Sequence, residues 1–171
     1  MTKEKEVNVL INSVAEKHGR LDTIVCNAGG SAETPTHVPH GNVSEFRSTL
    51  DLNVVGTFLC ANAAAKIMVK QGSGAIITVG SIHGSLTTDK RFYDGLGFSR
   101  GGPAYQTSKA GIINLTRNLA SELGEYGITA NCISPGQIPP PGTSDQFIER
   151  TIEKNALGRA GVADDLKGAI A

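Results

Sequence analysis

Apolar residues recur at Val7, Leu10, Ile11 and Val14, the spacing of one helical face, and Gly19 ends the run. Thr23-Ile24-Val25-Cys26 is short and mostly apolar, which suits a buried parallel strand closed by Gly29 and Gly30. Residues 31–41 are polar and interrupted by Pro and Gly, so they predict a loop. Asn42 followed by Glu45 reads as a helix-opening cap. Phe46, Leu50, Val54 and Phe58 then mark one face of a long helix that ends near Gly72. Ala75-Ile76-Ile77-Thr78-Val79 predicts a second buried strand, and residues 82–102 a long Gly-containing loop. Pro103 opens a helix that runs to about Tyr126, with Gly127 as its stop. Ile128 to Ile133 predicts a third strand. Pro139-Pro140-Pro141 admits neither regular helix nor central strand, and Phe147 to Lys154 and Asp164 to Ile170 look helical. Helix–strand alternation of this kind predicts an α/β fold, a parallel sheet with helices on both faces. Ligands of such sheets bind beyond the carboxyl ends of the strands.

Composition narrows the options. The 171 residues amount to one ordinary domain, with no internal repeat or linker. Lys plus Arg and Asp plus Glu both total 16, and no basic block or tail occurs, which argues against nucleic acid or an anionic membrane as main partner. Cys26, Cys60 and Cys132 lie far apart in apolar runs and read as buried reduced thiols rather than a disulfide frame. The charged start Met1-Thr2-Lys3-Glu4-Lys5-Glu6 lacks an apolar signal region, and no apolar run approaches transmembrane length, so the expected location is cytoplasmic.

The chemistry concentrates in Tyr105-Gln106-Thr107-Ser108-Lys109. Four-residue spacing on a helix sets both side chains on one face, one turn apart. A lysine ammonium there favours phenolate over phenol and brings a side chain of pKa about 10 toward use as an acid/base near neutrality. At ~4 Å and an effective dielectric of about 20 the attraction is on the order of 4 kcal/mol. Spacing alone is weak, because Tyr and Lys fall four apart on many solvated helices.

Company changes that weight. Cys26-Asn27-Ala28-Gly29-Gly30, Leu52-Asn53-Val54-Val55-Gly56, Val79-Gly80-Ser81-Ile82 and Asn131-Cys132-Ile133-Ser134-Pro135-Gly136-Gln137-Ile138 flank the pair in this order. Together the motifs resemble the short-chain dehydrogenase/reductase family of the classical type, over nearly the whole chain. That resemblance implies NAD or NADP as cofactor and hydride transfer between an alcohol and a carbonyl. It implies Tyr105 as general acid/base, with Lys109 lowering its pKa and holding the nicotinamide ribose. Ser81 would hydrogen-bond the reacting oxygen, and Asn53 would bind water in a proton relay to the lysine. Asn27, Ala28 and Gly29 would form a turn beside the adenosine side, and Pro135, Gly136 and Ile138 the turn at the nicotinamide. Two departures stand out. Cys26 replaces the first Asn of the family's Asn-Asn-Ala-Gly pattern. Pro140 stands where the family often has threonine, although Thr143 offers a hydroxyl nearby. The Ser81–Tyr105 gap is about twice the family's usual spacing; its extra residues, Asp89 to Tyr93 among them, resemble loops of gluconate 5-dehydrogenase-like members and can shape a pocket for a sugar acid or polyol, or form a plain surface loop.

The family's Gly-rich phosphate turn has no counterpart. Gly95-Leu96-Gly97-Phe98-Ser99-Arg100 has Arg100 in the last glycine's place and follows no strand. By resemblance, the first three strands and the last strand of the family are missing, so residues 1–171 read as a single partial Rossmann-like, doubly wound domain carrying the catalytic half. Weak dinucleotide binding and association through exposed sheet surfaces are the corresponding expectations. Other chemistries fit less well. His37 and His40 lack further metal ligands, so no metal site is expected. Gly80-Ser81-Ile82-His83-Gly84 lacks the hydrolase elbow. A sugar-nucleotide epimerase or dehydratase on a related fold remains an alternative, as does a truncated non-catalytic paralogue. The expected partners are a small-molecule substrate and a second copy of the chain, in a homodimer or homotetramer through helices 44–71 and 103–126, the family's common interface.

Overall fold

The computed structural model describes residues 1–97 and 99–170, so Phe98 of the rejected Gly95–Arg100 run and Ala171 lie outside the described residues. Helix α1 (Glu4–His18) ends on Gly19, whose φ of 74° is the left-handed conformation that Gly adopts without strain. Strand β1 (Thr23–Cys26) follows. The predicted long helix is a continuous run in three parts: α2 (Val43–Leu50), a π turn (Asp51–Val55) and α3 (Gly56–Gln71). Asn42 caps it, accepting from the amides of Ser44 and Glu45. Strand β2 (Gly74–Val79) leads into a 3-10 turn (Ile82–Gly84) and a helical turn α4 (Lys90–Tyr93), so the predicted 82–102 loop contains two ordered turns. Helix α5 (Pro103–Leu123), β3 (Ile128–Ile133), α6 (Asp145–Lys154) and α7 (Lys167–Ile170) complete the order.

The strands form a parallel sheet in the order β1-β2-β3. Cys26 lies opposite Thr78, and Val79 opposite Ile133, so all three strands deliver their following turns to one rim. Helix α1 packs on α3, α3 on β1 and β2, and α5 on β2 and β3. The core between these helices and the sheet is built from Val7, Ile11, Cys60, Ala61, Ala64, Met68, Ile76, Leu119 and Ile128. On the opposite sheet face Val25 is 38% exposed.

Two expectations need correction. The Phe46/Leu50/Val54/Phe58 stripe is only partly buried: Phe46, Leu50 and Val54 are half-buried and Phe58 is 46% exposed, whereas Asn53, Thr57, Cys60, Ala61, Ala64 and Met68 turn inward. The π turn is the reason, since a wide turn rotates everything after it relative to a 3.6-residue period. Small residues then let α3 approach the sheet closely. The run Val43–Gln71 spans 29 residues and, by length and composition alone, passes for a bilayer-crossing helix, contrary to expectation; half of its most apolar 18-residue stretch is buried inside the protein, as in a core helix. The three thiols are free, with Cys26 and Cys60 buried and Cys132 partly exposed.

Candidate active site

Every predicted site residue sits at or faces the common rim. Asn27, Ala28 and Gly29 follow β1, Ser81 follows β2, and Pro135, Gly136 and Ile138 follow β3. Tyr105 and Lys109 occupy the first turns of α5, where Pro103 fits because its missing N–H would lack a partner anyway. Two backbone bonds tie the second and third turns together: Gly80 N–H to the Ile133 carbonyl at 2.8 Å, and Ile82 N–H to the Pro135 carbonyl at 3.1 Å.

Lys109 is only 6% exposed. Its Nζ donates to the Val79 carbonyl at 2.7 Å and lies 5.6 Å from the Tyr105 ring centroid. Burial lowers the Lys109 pKa, opposed by its proximity to Cys132. Tyr105 is half-buried, and its hydroxyl makes no hydrogen bond to another described residue. Ser81, 7% exposed, accepts through Oγ from the His83 amide at 3.1 Å, which caps the 3-10 turn.

Asn53 is fully buried in the π turn. Its Oδ1 accepts from Gly30 N–H at 2.8 Å, and its Nδ2 donates to the Gly30 carbonyl at 2.9 Å and to Ser108 Oγ at 2.8 Å. Ser108 Oγ in turn donates to the Tyr105 carbonyl at 2.7 Å. Both amide protons are thus committed to a clamp linking the turn after β1 to the helix carrying Tyr105. Gly29 is required there, because a Cβ would sit 2.7 Å from Asn53 Oδ1. Thr143 commits its hydroxyl proton to the Pro140 carbonyl at 2.7 Å, which leaves the oxygen as an acceptor only.

Sequence reasoning overlooked several residues that build the site. Ser108 carried a signal, since a hydroxyl inside a helix commonly bonds back to the preceding turn. Gln106 joins both ends of the 87–101 excursion, donating to Thr88 Oγ1 and the Gly101 carbonyl at 3.0 Å each and accepting from Thr87 Oγ1 at 3.0 Å. Arg150 on α6 donates to the carbonyls of Phe92 at 2.5 Å and Asp94 at 2.8 Å. Phe92 and Phe147 meet edge to face at 5.5 Å. The 82–102 segment is therefore fastened to α5 and α6 and walls a cleft lined by Ile82, His83, Tyr93, Gly136, Gln137 and Thr151.

A parallel α/β sheet whose rim gathers Tyr105, Lys109, Ser81 and glycine-bearing turns defines a Rossmann-like module. The short chain dehydrogenase family model matches residues 1–150, and the chain belongs to that family. It is 32% identical over 165 residues to a 3-oxoacyl-[acyl-carrier-protein] reductase of Synechocystis, covering 96% of this chain and 62% of that protein. It is 31% identical over 166 residues to a mitochondrial borneol dehydrogenase of Lavandula x intermedia, covering 97% and 60%. Among solved structures, an NAD+-bound short chain dehydrogenase of Leptospira borgpetersenii superposes with a TM-score of 0.86 at 34% identity, over 99% of this chain and 63% of that one. The chain spans about three fifths of the length of these relatives.

The residues present fit part of a nicotinamide dinucleotide. The buried ammonium of Lys109, with one donor on the Val79 carbonyl, suits a cofactor lying along the rim. A Gly-rich turn following a strand, the usual seat for a pyrophosphate, has no counterpart in the sequence.

Proposed function

We propose that the protein is an NAD(P)-dependent oxidoreductase interconverting a secondary alcohol and a carbonyl, with Tyr105 as general acid/base. The observation that carries this reading is Lys109: a buried ammonium held at the end of β2, one helical turn from the half-buried phenol of Tyr105. When bound, the nicotinamide exchanges hydride with the substrate carbon. The chain's own groups manage the oxygen. Tyr105 gives its phenolic proton to the oxygen in the reductive direction and takes it back in the oxidative one. Positive charge on Lys109 stabilises the phenolate left behind. One ammonium donor meets Val79; the others remain available for ribose hydroxyls. Ser81 Oγ, fixed by the His83 amide, keeps its own proton for the substrate oxygen. Asn53 acts through the clamp it forms, which positions the turn after β1 against the helix that carries Tyr105. Asn27, Ala28 and Gly29 would line the adenosine side of the cofactor, and Pro135, Gly136 and Ile138 the nicotinamide side. Bound NAD+ in one solved relative, and an NADPH-dependent 3-quinuclidinone reductase of Rhodotorula rubra at 32% identity and a TM-score of 0.82, support a nicotinamide cofactor of either kind.

An outward apolar stripe favours self-association as a second property. Leu52, Val55 and Phe58 are 38%, 40% and 46% exposed along the helical run, which supports a homodimer or homotetramer through residues 44–71 and 103–126.

The test of the main reading is Tyr105→Phe, assayed by consumption of reduced nicotinamide against a panel of ketones. Turnover should fall by roughly 10²-fold or more with unfolding unchanged. Retained turnover removes Tyr105 from the mechanism.

A further inference from the structure

We infer that Cys26 and Cys60 form an oxidation site, where a hydroperoxide joins the two sulfurs in a reversible disulfide that fastens the end of β1 to α3. The inference is independent of the oxidoreductase reading. Cys26 is the last residue of β1, and Cys60 lies one turn into α3, the helix packed on that strand. The two thiols are hydrogen-bonded to each other. Cys132 is too far away to compete. It lies opposite Thr78 on β3, and Cys26 lies opposite the same Thr78 on β1. Two strand spacings, about 10 Å, therefore separate their Cα atoms, whereas a disulfide needs less than about 7 Å. A thiol sealed in an apolar core is inert. This pair is reached through a cavity of about 280 Å³ that both cysteines line. Leu10, Val14 and Val25 of the same cavity are 54%, 38% and 38% exposed, so its mouth meets solvent and admits a molecule as small as hydrogen peroxide.

The hydrogen bond gives the sulfurs unequal roles. It raises the Cys26 pKa, as burial does, and lowers that of Cys60 against the effect of burial. Cys60 is therefore the thiolate that attacks and Cys26 the thiol that resolves. Cys60 sulfur takes one peroxide oxygen as the O–O bond breaks, which gives a sulfenic acid and hydroxide. The Cys26 proton goes to that hydroxide. Cys26 sulfur then displaces the sulfenic oxygen, which leaves as a second water once protonated. Two thiols are oxidised, and one peroxide is reduced to two waters. The new bond has a structural consequence. Cys26 directly precedes Asn27-Ala28-Gly29, and Asn53 of the same helical run already clamps Gly30. The disulfide adds a covalent tie beside that clamp, on the strand end that leads into the turn.

The folded, reduced protein is treated with hydrogen peroxide, quenched with an alkylating agent and mapped by peptide mass spectrometry. Free thiols should fall from three to one, the mass by about 2 Da, and the peptides holding Cys26 and Cys60 should be cross-linked until dithiothreitol is added. Single variants test the order of attack. In Cys26→Ser a hydroxyl still donates to Cys60, which has no resolving thiol and should be trapped by dimedone as its sulfenic acid. Residue 26 of Cys60→Ser should be labelled roughly tenfold less. The inference is overturned if peroxide leaves all three thiols titratable, if the bond formed includes Cys132 or a second chain, or if residue 26 is labelled as readily as residue 60. Mapping of the unaltered chain decides the site even where a variant misfolds.

Discussion

Replacing Asn53 by alanine separates a structural clamp from a mere family signature. The side chain is fully buried and makes three hydrogen bonds, two to Gly30 and one to Ser108. Each contributes about 1 kcal/mol net, so Asn53→Ala should lower unfolding free energy by roughly 3 kcal/mol. For a chain of this size about 1 kcal/mol moves the melting temperature by roughly 2–4 °C, so a fall of about 6–12 °C is expected. Asn53→Asp sharpens the reasoning. It keeps the shape but turns an oxygen, in place of Nδ2, toward the Gly30 carbonyl. Burial and that carbonyl raise the new carboxyl's pKa above its unfolded value. Its penalty is therefore full at high pH and shrinks as pH falls through the folded-state pKa, because protonation restores one donor. Urea midpoints of parent, Asn53→Ala and Asn53→Asp at pH 8 and pH 5.5 provide the measurement. A loss under about 0.5 kcal/mol for Asn53→Ala, or Asn53→Asp equal to the parent at pH 8, refutes the clamp.

Two further outcomes follow from close contacts and ion pairs elsewhere. In Gly84→Ala the new Cβ would lie 2.9 Å from the Lys109 carbonyl carbon and 3.0 Å from the Ala110 nitrogen, backbone atoms that cannot rotate away. The turn after Ser81 must lift from α5, at a cost of about 1–3 kcal/mol. Gly41→Ala, with open space around its Cβ, is the control, and equal urea midpoints for the two variants count against the contact. The Asp165 carboxyl is held down to about 2 by hydrogen bonds from Arg159, then by the Val162 amide. A depressed carboxyl stabilises the fold above its unfolded pKa of 3.8, and that contribution disappears as pH falls toward about 2. Asp165→Asn should flatten the acid limb of stability over that window; an unchanged limb removes the pair from consideration.

Much of this fold was legible because it is local. Short apolar runs between glycines gave the three strands, and Asn42, Pro103 and Gly127 marked helix ends with chemistry that depends on immediate neighbours. The outward turn of Phe58 was not legible, because a π turn changes phase without any residue that announces it. Ser81, Tyr105 and Lys109 were legible as types at spacings. What was not legible was the fastening of the 82–102 segment, since Arg150 reaches Phe92 across 58 residues of sequence. The role of Asn53 was also hidden: its partners, Gly30 and Ser108, lie 23 and 55 positions away.

The end of β2 acts as a shared datum. Lys109 is anchored to the carbonyl of Val79, and Ser81 is the second residue beyond it. β2 is the middle strand, with a neighbour on each side. Any drift of that strand end therefore carries ammonium and hydroxyl along one vector, and their separation is preserved while surrounding loops vary. A lineage can then rework the cleft through α6 and the 82–102 segment and leave the alignment of Lys109 and Ser81 intact.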